Sequence, residues 1–383
     1  MNSVMGENGE ALNVAEMGRM GHMEEGDEPW LPCLRFNGAP GYEFGLAIGK
    51  RFGRMIRSRF ASDPALHSEM LPFAATEDGE KLVAALTAAN KQQFPVYFDE
   101  LRGTADGAEV PFLQVLLINM RKEVAPFLPS LIQRQKVGEA DQCSTILLNT
   151  ESLAVIAHNE DADISLLNHA YLVHAEFEDC LSFVAYTYAG ELPSCAFGFN
   201  SHGVVFTLNA VPLAPAEAVA GGICRNFISR DLLEASNRLD ALKRVCLLNR
   251  SVGHNYNIMD INEGKMITVE AASKGRWSVK EIGAEPFFHA NMYIHLPVDQ
   301  VANETSLHRQ RCADRYSKLS RDDMMCLLGD ATDELYPVYM QGPKLVTLCT
   351  AVFDLHTLTC SIYQGNPRKR VLYSQLPLIF PIP

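Results

Sequence analysis

After Lys136 the chain changes its apolar period, and that change decides what it can fold into. Before it, apolar residues recur at helical spacing. Beyond it they gather into short runs: Ser144 to Leu148, Leu153 to Ala157, Tyr171 to Phe177, Leu181 to Tyr188 and Val204 to Asn209. Turn-forming stretches such as Asn149-Thr-Glu-Ser152 and Asn200-Ser-His-Gly203 separate these runs, which predicts successive antiparallel strands. The earlier half reads as a helical layer, with helices over Tyr42 to Arg59, Glu80 to Leu101 and Pro111 to Ala125. Ser229 suits the cap of a helix running to about Leu248, followed by a strand group from Asn255 to Glu270. A helix near Asp322 to Leu328 and strands at Leu345 to Asp354 and Thr359 to Gln364 close the chain. Helices, sheet, helix and sheet again predict a layered α+β fold with sheets packed face to face.

Residues 29–383 read as one domain. Residues 1–28 are rich in Gly, Glu and Met without apolar periodicity, so a disordered leader is expected there. A hydrophobic content of 47% supports a large core, while a net charge of −13 and the lack of any Lys/Arg run exclude nucleic acid and anionic membranes as partners. No run approaches the ~18 apolar residues of a membrane span, and no basic segment precedes an apolar core at the N-terminus, so a cytoplasmic protein is expected. The ten cysteines are scattered without CxxC pairs, which points to reduced thiols. His158, His169 and His174 show no ligand-like spacing, so neither metal nor cofactor is expected.

The chemistry centres on Cys143, which opens a predicted strand directly after Gln142. If the Gln142–Cys143 bond is cut, one residue supplies both a sulfur nucleophile and an α-amine whose pKa of about 7.7–8.0 suits a general base. Asp161 follows eighteen residues later. A hairpin turning at Asn149 to Ser152 carries it back beside the strand that starts at Cys143, where a carboxylate can orient the amine or the thiol.

These residues bring the chain to a family. It resembles the penicillin acyltransferase-like branch of the N-terminal-nucleophile hydrolases, and within it the animal members acting on β-alanyl amines. The likeness runs from about Phe36 to Pro367. It is carried by Gly38-Ala-Pro-Gly-Tyr-Glu-Phe-Gly, Glu100-Leu-Arg-Gly-Thr-Ala-Asp-Gly-Ala, Cys143-Ser-Thr-Ile, His158-Asn-Glu-Asp-Ala and Tyr188-Ala-Gly-Glu-Leu-Pro. Gly198-Phe-Asn-Ser-His-Gly-Val-Val-Phe-Thr-Leu-Asn209, His289-Ala-Asn291 and Val352-Phe-Asp-Leu continue it. The resemblance implies an αββα four-layer sandwich made as a precursor that cuts itself before the nucleophile, leaving two fragments of one chain.

Position by position, the resemblance places Cys143 as nucleophile and Asp161 as the acid at its amine. Asn255 falls on the oxyanion asparagine, with Asn257 on the same strand face as the alternative. Arg309 falls on the active-site arginine, with Arg311 close by, and Asn209 on the acyl pocket. Glu160 is the candidate for the ammonium of a β-alanyl group. The implied activity is hydrolysis of a small N-acyl amine through a thioester on Cys143. The alternatives are acyl transfer and an uncut, non-catalytic binding protein, with a homo-oligomer left open. Two departures matter. Gln142 stands where the family has glycine, and its Cβ narrows the backbone freedom that self-cleavage uses. Met292, after His-Ala-Asn, replaces a polar or aromatic residue in the pocket wall.

Overall fold

The computed structural model describes residues 29–128, 142–178, 181–301 and 303–382. The predicted leader, residues 1–28, lies outside them. The folded body, Leu31–Pro383, begins with a strand that the sequence pattern did not show, β1 (Cys33–Gly38), and the predicted helix α1 (Tyr42–Ala61). The helix predicted from Glu80 to Leu101 is two: α2 (Glu77–Gln93) and α3 (Pro95–Ala108). Pro95 has no N–H to continue the ladder, and Phe94 leaves the helical region at φ −134° and ψ 63°. The next predicted helix, Pro111 to Ala125, is α4 (Phe112–Asn119) and, after a break at Met120, one further helical turn over Arg121–Val124.

Five runs read as strands are strands: β2 (Gln142–Asn149), β3 (Ala154–Asp163), β4 (Ala170–Phe177), β5 (Ser182–Tyr188) and, after the short β6 (Phe197–Asn200), β7 (Val204–Asn209). The helix expected from Ser229 to Leu248 is again a pair, α5 (Arg225–Leu232) and α6 (Arg238–Val245). Ser229 sits inside α5 and donates to the Arg225 carbonyl. The cap is Asn237, whose side chain accepts from Asp240 N. The chain continues through β8 (His254–Asp260), β9 (Lys265–Ala271), β10 (Trp277–Ile282) and β11 (Phe287–His289). It ends with α7 (Glu304–Ala313), α8 (Arg321–Leu328), β12 (Leu345–Asp354), β13 (Thr359–Tyr363) and β14 (Leu372–Pro377).

The strands form two sheets, an eight-stranded one ordered β1-β4-β5-β6-β7-β8-β9-β10 and a six-stranded one ordered β11-β2-β3-β12-β13-β14. Strand alternation assigns their faces. Tyr171, Val173 and Ala175 of β4, Val204, Phe206 and Leu208 of β7, and Tyr256 and Ile258 of β8 join Phe44, Ile48, Leu86, Leu101 and Phe227 in one apolar core, so α1 to α6 cover that sheet. Ile146 and Leu148 of β2 and Val155 and Ala157 of β3 pack with Cys312, Met324, Leu327 and Leu328, so α7 and α8 cover the other. The remaining two faces meet each other, with Phe353 of β12 against Phe197 of β6 at 5.6 Å between ring centroids. The layers are therefore αββα.

Two of the quoted motifs are explained by helix packing. A Cβ on Gly45 or Gly49 of α1 would overlap the carbonyl oxygens of Glu100 and Thr104, and one on Gly103 or Gly107 of α3 would overlap those of Tyr42 and Leu46. The two backbones touch, which only glycine permits. Glu100, in the same motif, pairs with the fully buried Arg230 of α5, Oε1 lying 2.6 Å from Nη2.

Candidate active site

The start of β2 brings the site together, and alternation along two strands sorts its side chains onto two faces. Strands β2 and β3 pair with Gln142 opposite Asp161, Cys143 opposite Glu160 and Thr145 opposite His158. Cys143, Thr145, His158 and Glu160 point between the sheets, whereas Gln142, Ser144 and Asp161 lie on the face toward α7. Glu160 and Asp161, neighbours in sequence, thus serve opposite sides of one strand.

On the α7 face, Arg309 is fully buried and organises the main chain around the nucleophile. Its Nη1 donates to the Cys143 carbonyl at 2.6 Å and to Ser144 Oγ at 3.0 Å. Its Nη2 donates to Gln142 Oε1 at 3.0 Å and to Asn291 Oδ1 at 2.9 Å. Asn291 Oδ1 also accepts from the Cys143 N–H at 2.7 Å, and Asn291 Nδ2 donates to the Ala210 carbonyl at 2.8 Å. The Gln142 carboxamide is held a second time, by the Thr305 hydroxyl. Arg311, the alternative to Arg309, is exposed on the other side of α7.

Asp161 is buried with Oδ1 accepting from Thr347 Oγ1 at 2.5 Å, while Oδ2 has no hydrogen-bond partner among the described residues. Burial pushes its carboxyl up to about 8, against the pull of Arg309 and of the Thr347 hydrogen bond. The same burial brings the Arg309 guanidinium down to about 10, opposed by Asp161 and Cys143. Desolvation outweighs the attraction between the two charges for both partners.

Between the sheets, the Cys143 thiol donates to Glu160 Oε2 at 3.4 Å, and His158 Nε2 lies 3.0 Å from the same oxygen. Tyr188 of β5 donates its hydroxyl to Glu160 Oε1. Glu160 is therefore engaged on both oxygens by protein groups, and at 4% exposure it is not a solvated side chain. On its far side Tyr188 borders a polar cleft lined by Arg59, Asn119, Glu191, Arg225 and Asn226. The larger cleft, around Pro40, Phe94, Asp231 and Arg244, lies on the helical layer and includes none of the site residues.

Asn209 ties the sheets together: its Oδ1 accepts from Thr145 Oγ1 at 2.9 Å and Asn257 Nδ2 at 2.8 Å, and its Nδ2 donates to the His289 carbonyl at 3.4 Å. Asn255 stands one step further away. Its Nδ2 donates to Asn257 Oδ1 at 3.0 Å and its Oδ1 accepts from Thr268 Oγ1 at 3.0 Å. The asparagine that touches Cys143 is Asn291. Sequence reasoning quoted it as part of a motif and gave it no role, and it sits just past the three-residue strand β11, where no periodicity fixes a side chain's direction.

The family profile described as acyl-coenzyme A:6-aminopenicillanic acid acyl-transferase matches residues 148–369. The β-alanyl-dopamine/carcinine hydrolase of Drosophila melanogaster is 28% identical over 383 aligned residues, covering 91% of this chain and 97% of that protein. The 40 kDa form of acyl-coenzyme A:6-aminopenicillanic-acid-acyltransferase from Emericella nidulans is 26% identical over 166 residues, 43% of each chain. Among solved structures, the Caenorhabditis elegans ortholog of N-acylethanolamine-hydrolyzing acid amidase aligns over 61% of this chain and 99% of its own, with a TM-score of 0.36 and 14% identity. The layer order above rests on this chain's own strand pairing.

Proposed function

The chain belongs to the acyl-coenzyme A:6-aminopenicillanic acid acyl-transferase family, and on that premise we propose that it is a cysteine amidohydrolase that cleaves a small N-acyl amine through a thioester on Cys143. The observation that carries this is the convergence on one residue: Cys143 has its thiol on Glu160, its N–H on Asn291 and its carbonyl on Arg309. Sulfur attacks the amide carbonyl, the C–N bond breaks, the amine leaves with a proton, and water then hydrolyses the thioester to release the acid. The name of the Drosophila relative makes β-alanyl amines the first substrates to test.

The α-amine that serves as base comes from self-cleavage between Gln142 and Cys143. The thiol attacks the Gln142 carbonyl, the acyl group moves from nitrogen to sulfur and frees the α-amine, and water then hydrolyses the thioester to the Gln142 carboxylate and the free thiol. Asp161 Oδ2, buried and without a hydrogen-bond partner among the described residues, is the acceptor for the ammonium form of that amine. Asn291, rather than Asn255, is assigned to the developing oxyanion, because it already touches the nucleophile and Nδ2 has a second hydrogen to give. Arg309 is a positioning residue that holds the Cys143 carbonyl on one side of the scissile bond and the Gln142 side chain on the other. We place the protein in the cytoplasm, where a thiol nucleophile stays reduced.

Intact mass and N-terminal sequencing of the purified protein test this reading. Fragments of residues 1–142 and 143–383, absent from Cys143→Ala, together with turnover of N-acyl amines, are expected. A single uncut chain without amidase activity would defeat it in favour of a non-catalytic binding protein. The clamped Gln142 carboxamide is the observation that favours this second reading. Product analysis with added acyl acceptors separates hydrolysis from acyl transfer.

A further inference from the structure

The nucleophile's inter-sheet side holds three donor atoms of a kind that proton chemistry alone does not exhaust. Cys143 Sγ, His158 Nε2 and Glu160 Oε2 all lie within 4.8 Å of one another, and all three residues are buried. Glu160 Oε2 is 3.4 Å from Sγ and 3.0 Å from Nε2. Around a tetrahedral zinc ion with sulfur at about 2.3 Å and nitrogen and oxygen at about 2.0 Å, ligand atoms stand roughly 3.3 to 3.6 Å apart. Two of the three separations lie within a few tenths of an ångström of that spacing, and the third, between Sγ and Nε2, is within 4.8 Å. We propose that Cys143, His158 and Glu160 form a zinc(II) site, with a fourth position left for water, whose occupancy silences the nucleophile.

The shell around the three atoms is already oriented for that role. Thr145 has one hydroxyl hydrogen and donates it to Asn209 Oδ1, so its contact with His158 Nδ1 at 2.8 Å is a bond donated by the ring. The imidazole is thereby fixed with Nε2 facing the cluster, the arrangement in which a metal-ligating histidine spends its other N–H on an outer partner. Glu160 is held in the same way by Tyr188 on the oxygen that faces away. A 3.0 Å contact between Nε2 and a carboxylate oxygen requires a proton between them. A divalent cation displaces that proton and the thiol proton together, so a neutral buried cluster stays neutral and no uncompensated charge is left in the interior. A thiolate, an imidazole and a single carboxylate oxygen suit zinc and not the all-oxygen preferences of calcium or magnesium.

The blocking effect rests on Cys143 being the nucleophile, whereas binding does not, so the experiment reads the two separately. Full-length protein freed of metal with a chelator is titrated with zinc chloride against a chromophoric competitor, and with cobalt(II) by absorbance. One equivalent of zinc, a thiolate-to-cobalt band in the near ultraviolet and protection of Cys143 from iodoacetamide are expected. Cys143→Ser should weaken zinc at least about a hundredfold and abolish the band, and Thr145→Val, which removes the outer partner of His158 together with the bond to Asn209 while leaving all three ligands, about ten- to a hundredfold. Equal zinc affinity in wild type and Cys143→Ser, or a cobalt spectrum without the thiolate band, overturns the site. The zinc stoichiometry, the cobalt band and the iodoacetamide protection are read on the wild-type protein and do not depend on any variant folding. Amidase activity should fall in step with occupancy and return with EDTA. Stoichiometric binding to the thiol with full activity retained upholds the site and refutes Cys143 as the nucleophile.

Discussion

Replacing Asp161 with asparagine in the uncut chain isolates the cost of burying a carboxyl group before its partner exists. Burial raises the group to about 8 in the folded chain, from 3.8 when exposed. Because the folded pKa is the higher one, the folded state holds more protons than the unfolded state between these values. Stability contributed by the protonated form is therefore complete at low pH and is lost as pH rises through that window. Asparagine mimics the protonated acid and does not titrate. With Cys143→Ala in both chains to prevent cleavage, urea unfolding midpoints measured from pH 5 to 9 give the comparison. The Asp161→Asn chain should gain on its Asp161 counterpart by about 1.4 kcal/mol per pH unit, roughly 4 kcal/mol between pH 5 and 8, with no further gain above. Partial solvation of the site in the folded chain would reduce the size but not the sign. Parallel stability profiles for the two chains would refute the reasoning, since an unshifted carboxyl is ionised in both states across this range.

Asn291→Ala should lower kcat by roughly a hundredfold or more. Asn255→Ala should leave the chemical step in place while costing about 1–3 kcal/mol of stability through unsatisfied partners in the inter-sheet network, a split that kinetics and thermal melts on the same preparations will show. Gln142→Gly removes the side chain that Thr305 and Arg309 hold and restores backbone freedom before the nucleophile. It should speed appearance of the residue 143–383 fragment in a time course on denaturing gels, and an unchanged rate would mean that the clamp does not limit cleavage.

The inner strands were legible because they are covered on both faces and so read as continuous apolar runs. Strands β10 and β14 were not, since both are half-exposed edges with mixed composition. The helix boundaries failed at Phe94 and Ser229 for different reasons. Pro95 overrides an otherwise unbroken amphipathic pattern. Ser229 has a capping side chain but bonds back to its own turn, while Asn237 caps the following helix. In the site, the hairpin placed Asp161 beside the start of β2, as its register pairing with Gln142 records. The separation of Glu160 from Asp161 follows from the two-residue period of a strand, yet a sequence does not announce which face meets another sheet. The cluster around Glu160 was hidden for the same reason: His158 and Glu160 lie on one strand, whereas Thr145 and Cys143 belong to another, and only the register brings them opposite.

The touching glycines of α1 and α3 bear on how kinship should be interpreted. Gly45, Gly49, Gly103 and Gly107 preserve a separation between two helices, and they do so however the far end of β2 is furnished. A descendant chain could exchange Cys143 for an inert residue and still keep all four, because what selects them is steric exclusion on the outer layer and not turnover. Signatures of this kind date the scaffold. The working condition of any single member is written instead in the few atoms that meet at Cys143.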